Sequence, residues 1–194
     1  MMTLGQLKEA TGAPTTSAEK FLPYLLETCE RYQINTSVRQ LCFLAQVGHE
    51  SGGLFYTEEL ASGKVYEGRK SLGNTQPGDG VRFKGRGLIQ ITGRTNYKSL
   101  GDELGVDLLA TPTLLGGRNV TVCTAEQLRY ASLGSGWFWN SHDLNSLADL
   151  INVQNPIDEG ANLDNFKKLT KKINGGYNGL ADRLNRYKNG LKYF

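Results

Sequence analysis

The sequence predicts a mainly α-helical protein with a minor β element. Apolar residues recur at helical spacing over residues 17–32, 37–50, 95–104, 125–140, 143–152, 162–173 and 180–190. Residues 60–88 lack that periodicity and are rich in Gly, Asn, Pro and Asp. Only Val81-Arg82-Phe83-Lys84 and Leu88-Ile89-Gln90-Ile91 suit a short strand or hairpin.

Composition supports one folded unit. The chain has 194 residues, 39% hydrophobic and 21% charged, which suits a globular protein with a real core rather than a disordered one. No linker-like stretch divides it, so residues 1–194 read as a single catalytic domain. The net charge of +3 is mild. It assists approach to a polyanionic surface but is too small to mark a nucleic-acid binder, and no nucleic-acid partner is expected. Cys29, Cys42 and Cys123 match no zinc spacing and read as free thiols of a reducing compartment. Residues Met1–Gln6 carry no apolar signal core, and no run is long enough to span a bilayer. Synthesis in the cytoplasm without a signal peptide is therefore expected.

Taken in order, the first helical pattern aligns Phe21, Leu22, Leu25, Leu26 and Cys29, with Pro23 tolerable only in its first turn. Over 37–50, Ser37 and Gln40 form an S-x-x-Q capping box. Leu41, Leu44, Ala45 and Gly48 make one stripe, and Phe43, Val47 and Glu50 a neighbouring one. Gly52-Gly53 ends that helix through left-handed backbone angles. The irregular stretch 60–88 is too long for a passive loop in a compact domain, which signals function. Thr124 and Gln127 form a second capping box ahead of the 125–140 helix.

Three clusters carry candidate chemistry. In His49-Glu50-Ser51-Gly52-Gly53, Glu50 stands at the C-terminal end of an apolar helix. Apolar neighbours and the negative helix end both disfavour its anion, as a general acid requires. The neighbouring His49 does not begin a zinc motif, because position 53 is Gly, and the only other histidine is His142. Glu58, Glu59 and Glu67 follow a Gly-Gly turn that can bring one of them across a cleft from Glu50. For Glu58 a solvated surface position is the simpler reading, and Glu67 beside Arg69 suits a loop ion pair. In Gly85-Arg86-Gly87-Leu88-Ile89-Gln90-Ile91-Thr92, the glycines permit close backbone approach, and Gln90 and Thr92 share a face if the segment is extended. Ile173-Asn174-Gly175-Gly176 with Ala181-Asp182-Arg183 reads equally as a helix–loop–helix junction or a binding element.

Together these segments resemble glycoside hydrolase family 19, the chitinases and related phage endolysins. The resemblance runs through Phe43–Gly53, Tyr66–Arg69 with Leu72-Gly73-Asn74, Lys84–Tyr97, Gly136–Trp139 and Ile173–Gly176 with Ala181–Arg183, in order. It implies a two-lobed, lysozyme-like fold with a central cleft, and hydrolysis with inversion that uses no metal and no cofactor. It implies Glu50 as general acid, Glu59 as base and Thr92 as the hydroxyl that positions water. Sugar-binding roles fall on Gln90, Asn96, Asn174 and Arg183. One departure stands at the base: where the phage-like pattern has Glu followed by Asn-Leu, this chain reads Glu58-Glu59-Leu60. Glu59 is preferred, with Glu67 second as base and otherwise a substrate-binding carboxylate.

The expected partner is a peptidoglycan or chitin-type polysaccharide. An endolysin is the first expectation: a monomer that acts on the cell wall after release, with a holin as one route out of the cytoplasm. A chitinase is the alternative, and a non-catalytic glycan-binding protein a third reading that Glu50 speaks against. Lys167, Lys168, Lys171 and Lys172 fall at i, i+4 spacing, as on a solvated helix face or a face turned toward an anionic envelope.

Overall fold

The computed structural model describes residues 1–194. Nine α-helices follow in order: α1 (Leu4–Thr11), α2 (Thr15–Arg31), α3 (Ser37–Glu50), α4 (Asp79–Arg82), α5 (Arg94–Leu104), α6 (Ala125–Ser141), α7 (Leu144–Ala148), α8 (Gly160–Asn174) and α9 (Leu180–Leu191). Single 3₁₀ turns lie at Lys64–Tyr66, Lys70–Leu72 and Pro112–Leu115. The β content is three isolated antiparallel bridges, Tyr56 with Asn119, Glu58 with Arg86 and Arg86 with Ile91. The mainly α class with a minor β component is therefore what the chain adopts. No helix is long and apolar enough to cross a membrane.

Helix α3 is the axis of the fold. Its residues Leu41 to Gly48 are all buried, because α1, α7, α8 and α9 pack around it. A helix enclosed on every side can be apolar all round, so the two stripes merge into one. Gln46 is its one buried amide side chain. Helix α2 lies along α6, and α4 and α5 pack on the 3₁₀ turns of the 60–93 stretch. The buried apolar residues of both regions join into one cluster. Close approach of α3 to α1 requires Gly48: a Cβ there would lie 2.6 Å from the Thr11 carbonyl oxygen.

Several local expectations are corrected. The cap of α3 is Thr36, whose hydroxyl accepts from the Arg39 amide at 3.3 Å. Ser37 is already helical, and the Gln40 side chain donates instead to the Ile34 carbonyl. Pro23 sits mid-helix in α2, where it is exposed. The carbonyl it cannot serve is that of Glu19, a residue that is also exposed, so the lost bond falls on the solvent side of the helix. Helix α1 lies outside the periodic segments, although Thr3 and Gln6 form a full capping box at its start. The expected box of Thr124 and Gln127 is present on α6. The strands expected over 81–84 and 88–91 do not form, and pairing within this range is limited to the single bridge of Arg86 with Ile91. The first half coils into α4, and Gln90 takes a φ of 60° that no strand accommodates. All three cysteines are free thiols, and burial pushes the Cys29 thiol up to about 12.

The 60–93 stretch is irregular but tightly tied. Arg94 grips Asp79 with two hydrogen bonds of 2.7 and 2.8 Å. Asn74 accepts from the Arg94 amide and donates to the Tyr66 carbonyl. Glu67 accepts from the amides of Gly78 and Gly80 at 2.7 and 2.8 Å. The hydrogen bonds from Arg94 hold the Asp79 carboxyl below the usual carboxylate range against the opposing effect of burial, with the Gln76 and Thr75 amides assisting.

Two outcomes follow. Gly48→Ala should lower stability by about 1–3 kcal/mol in chemical denaturation, since the α1 backbone must move aside. Asp79 is held ionised in the folded chain, so its contribution is present at neutral pH and is lost as pH falls through its depressed value. The difference in Tm between the parent and Asp79→Asn should be widest near neutrality and close below about pH 4. A difference constant across that range would refute the ion pair's role.

Candidate active site

The site begins where α3 ends. Ser51 closes the helix: its hydroxyl donates to the Val47 carbonyl at 2.7 Å and accepts from the Leu54 amide at 2.9 Å. Gly52, Gly53 and Leu54 then take positive φ values of 62°, 74° and 59°. Three successive left-handed residues reverse the chain, and glycine meets that demand at the first two positions. The chain next pairs Thr57 and Glu59 with Gly87 and Gly85 through backbone hydrogen bonds of 2.8 Å each. In this way Glu50 and Glu59, nine residues apart, come to line one open cleft of about 360 Å³ with Tyr56, Glu58, Leu60, Ala61 and Gln90. A larger hollow of about 500 Å³ lies at the C-terminal end of α5, and none of the candidate site residues lines it.

The three carboxylates of the cleft have different partners. Glu50 Oε1 accepts from Arg183 Nη2 at 2.5 Å. Arg183 is 0% exposed, and its remaining bonds go to Gln46 Oε1 at 2.6 Å and the Asn178 carbonyl at 3.1 Å. The apolar surround expected for Glu50 is thus replaced on one side by a buried guanidinium. Glu58 is held between Lys84 at 3.0 Å and Arg86 at 2.9 Å. Burial works against its charge, but hydrogen bonds from Lys84 and Arg86 outweigh it and keep its carboxyl below the usual range. The Glu59 carboxylate pairs with no cationic side chain, although Lys84 Nζ donates to the Glu59 backbone carbonyl at 3.1 Å. Its oxygens accept from the Tyr66 hydroxyl and the Gly85 amide, both at 3.1 Å. Neutral donors orient that carboxylate without neutralising it. The Glu59 contact and burial together push the Tyr66 hydroxyl up, burial contributing most.

His49 faces the other way. Its Nδ1 lies 2.7 Å from Asp182 Oδ2, which also accepts from Arg186 at 2.6 Å. Helix α9 therefore grips two consecutive residues of α3, Glu50 through Arg183 and His49 through Asp182. Burial disfavours the Asp182 charge, yet hydrogen bonds from Arg186 and His49 hold its carboxyl below the usual range.

The remaining sequence candidates divide. Gln90 lines the cleft, its amide donating to the Gly87 carbonyl at 3.0 Å. Thr92 is half-buried just beyond, its hydroxyl donating to the Gln90 carbonyl at 2.9 Å. Asn96 on α5 donates to the Thr92 carbonyl at 2.8 Å. Thr92 and Asn96 thus flank the cleft wall rather than line the pocket itself. Asn174 is exposed at the end of α8. Two roles need correction. Arg183 is too deeply buried to meet a sugar directly and acts on Glu50 instead. Glu67 spends both oxygens on the amides of Gly78 and Gly80, so it is a loop fastener rather than a second base or a sugar ligand, and Arg69 packs over Tyr66 instead of pairing with it. Glu58 is likewise an ion-paired residue, not a solvated one. Gln46 and Tyr66 were not anticipated as site residues. Gln46 had a signal in its spacing, since an amide four residues before Glu50 on an apolar helix shares its face. Tyr66 had none, because its contact with Glu59 depends on the path of the loop.

Known proteins bear on this geometry. Residues 32–187 match the glycoside hydrolase family 19 profile described as chitinase class I. A Haemophilus influenzae protein described as glycosyl hydrolase family 19 domain-containing is 29% identical over 182 residues, covering 78% of each chain. An Arabidopsis thaliana endochitinase is 33% identical over 168 residues, covering 83% of this chain and 50% of its own. The chain thus spans about half the length of that plant relative. Among solved structures, chitinase C from Streptomyces griseus superposes with a TM-score of 0.65 at 23% identity, covering 98% of this chain and 90% of its own. A bacterial family 19 chitinase gives 0.68 at 23% identity, covering 98% and 93%. At that identity the likeness speaks for the shared lysozyme-like fold alone.

The partner sets make a stability prediction. Glu58→Gln leaves two partly buried cations without their anion and should cost roughly 1–3 kcal/mol. Glu59→Gln loses only bonds from neutral donors and should cost less. Denaturant melts that place the larger loss at Glu59 would reverse the assignment of structural and available carboxylate.

Proposed function

The chain belongs to glycoside hydrolase family 19, and from that membership we propose that it hydrolyses the β-1,4 glycan backbone of bacterial peptidoglycan with inversion at the anomeric carbon. The observation that carries the proposal is the pair of carboxylates on one open cleft, one fixed by a buried arginine and one held by neutral donors. Inversion needs a proton donor on the leaving oxygen and a base for the attacking water on the opposite face. In this reading Glu50 is the donor. Arg183 fixes Oε1 and leaves Oε2 as the oxygen that carries the proton. Glu59 is the base: a carboxylate oriented by Tyr66 and the Gly85 amide can take a proton from water while water adds to the anomeric carbon. The bond to the leaving sugar breaks as Glu50 protonates its oxygen, and Glu50 ends ionised beside Arg183, which stabilises that charge. Gln90 and Thr92 supply neutral hydrogen bonds for the substrate's N-acetyl group and the water.

Peptidoglycan is favoured as the substrate by the net charge of +3, which suits a polyanionic wall. The chitin reading draws on the plant relatives, which are described as endochitinases. We further place the enzyme at the cell wall after release from the cytoplasm, as a monomer.

Purified sacculi and colloidal chitin separate the two readings. Soluble fragments with a new reducing end should appear from sacculi, and mass spectrometry of that end identifies the bond cut. Release from chitin alone would move the assignment to chitinase. Glu50→Gln takes the carboxylate from buried Arg183 and should be less stable than the parent; at a temperature where circular dichroism shows it folded, it should lose about 10²-fold or more in turnover. Full retained activity would remove Glu50 from the mechanism.

A further inference from the structure

Two short segments close the wall that carries Glu59. The Thr57 carbonyl accepts from the Gly87 amide, and the Glu59 amide donates to the Gly85 carbonyl. Between them Glu58 forms an antiparallel bridge with Arg86. The Glu58 side chain then takes both residues that flank Gly85. Its Oε1 lies 3.0 Å from Lys84 Nζ, and its Oε2 lies 2.9 Å from Arg86 Nε. Gly85, held between these two cations, donates its amide to Glu59 Oε2 at 3.1 Å. The fit is close: a Cβ on Gly85 would lie 3.2 Å from the same oxygen and 2.8 Å from Gln90 Oε1. One carboxylate of the doublet thus fastens the side chains of residues 84 and 86. The other is oriented by the backbone between them.

The same arrangement sets the charge around Glu59. Tyr66 faces it, with Arg69 over the Tyr66 ring, and Glu50 lies across the cleft. On its own wall stand Glu58, Lys84 and Arg86, with Tyr97 bonded to Arg86 and to the Lys84 carbonyl. Lys84 Nζ reaches the Glu59 carbonyl at 3.1 Å, so a full positive charge stands close to the backbone of that residue. Arg86 is buried, and its Nη1 donates to the Arg82 carbonyl and the Tyr97 hydroxyl. Two uncompensated cations here would stabilise the Glu59 anion and weaken it as a base. Glu58 is the only anion that pairs with either, and it brings the sum of the three charges from +2 to +1.

We propose that Glu58 is a positioning residue for Glu59: by holding Lys84 and Arg86 it fixes the Gly85 amide on the base and offsets their charge beside it. The inference rests on the reading of Glu59 as base and is independent of which glycan is cut. The Glu58-Glu59 doublet is then one base with its own counter-charge, not two competing bases.

Profiles of kcat/KM against pH test the role, read on the glycan that the parent cuts and at a temperature where circular dichroism shows each variant folded. The acidic limb of such a profile reports the base of the free enzyme. Glu58→Gln leaves Lys84 and Arg86 uncompensated, so the limb should move down by about 0.5 pH unit. Lys84→Gln removes one cation, and the limb should move up by a similar amount. Glu58→Asp keeps the charge and should keep the limb of the parent. At the parent's optimum Glu58→Gln should lower kcat by about tenfold and change KM by less than about twofold, because its oxygens are spent on the two cations. A limb at one and the same pH in the parent, Glu58→Gln and Lys84→Gln overturns the proposal and leaves Glu58 as a loop fastener. Glu59→Gln separates this outcome from the base assignment. An active Glu59→Gln sinks the reading of Glu59 as base, and an inactive Glu58→Gln beside it moves the base to Glu58. An inactive Glu59→Gln with an unmoved limb in the other variants sinks the positioning role alone.

Discussion

The structure depends on a buried guanidinium. Arg183 lies wholly inside the protein, where an unpaired positive charge would be costly. Its three hydrogen bonds reach Glu50, Gln46 and the Asn178 carbonyl, and so join the end of α3, the middle of α3 and the loop before α9. Gln46 passes the connection to Thr170 on α8 at 3.0 Å. One charge thereby registers three helices against one another, and its carboxyl partner is the residue proposed as proton donor. Where a buried arginine needs a carboxylate for stability and the same carboxylate must change charge in the reaction, folding and chemistry are coupled. The geometry around Glu50 is held by the cost of disturbing Arg183.

The opposite wall is built on a different principle. It has little regular structure, and its rigidity comes from side chains that satisfy backbone groups of the 60–93 stretch. Asn74, Asp79, Glu67 and Lys84 each bind loop amides or carbonyls. These bonds do what a sheet ladder would do, and they leave room for a cleft. Glu59 is carried on this wall by short backbone pairing with Gly85, and the same glycine's amide orients its side chain. Adjacent carboxylates then part in role. Glu58 enters the cation pair of Lys84 and Arg86, and the Glu59 carboxylate meets only neutral donors.

Much of the fold was legible in sequence because hydrophobic periodicity is local. The helices α2, α3, α5, α6, α8 and α9 lie where that pattern places them. The short helix α1 escaped it, since eight residues give too few turns for a stripe to show. The proposed hairpin failed because alternation over 81–84 cannot report the turn that starts at Gly78, with a φ of 88°, and winds the segment into a helix. At the site, motif order singled out Glu50 and Glu59, and the fold brings the two onto one cleft. Glu67 and Arg183 were legible as important residues, but their roles were misread, because each is defined by partners far away in sequence.

The sequence by itself determined the helical class, the reversal after α3 through Gly52 and Gly53, the set of acidic candidates, and the lysines gathered near the C-terminal end of α8. Those are properties of neighbours along the chain. Only the tertiary structure decided which carboxylate is neutralised by cations, which is left to neutral donors, and which is anchored by a buried arginine. The physical reason is that a carboxylate's function follows from the charges and donors within hydrogen-bonding distance, and here these come from residues up to 133 positions away.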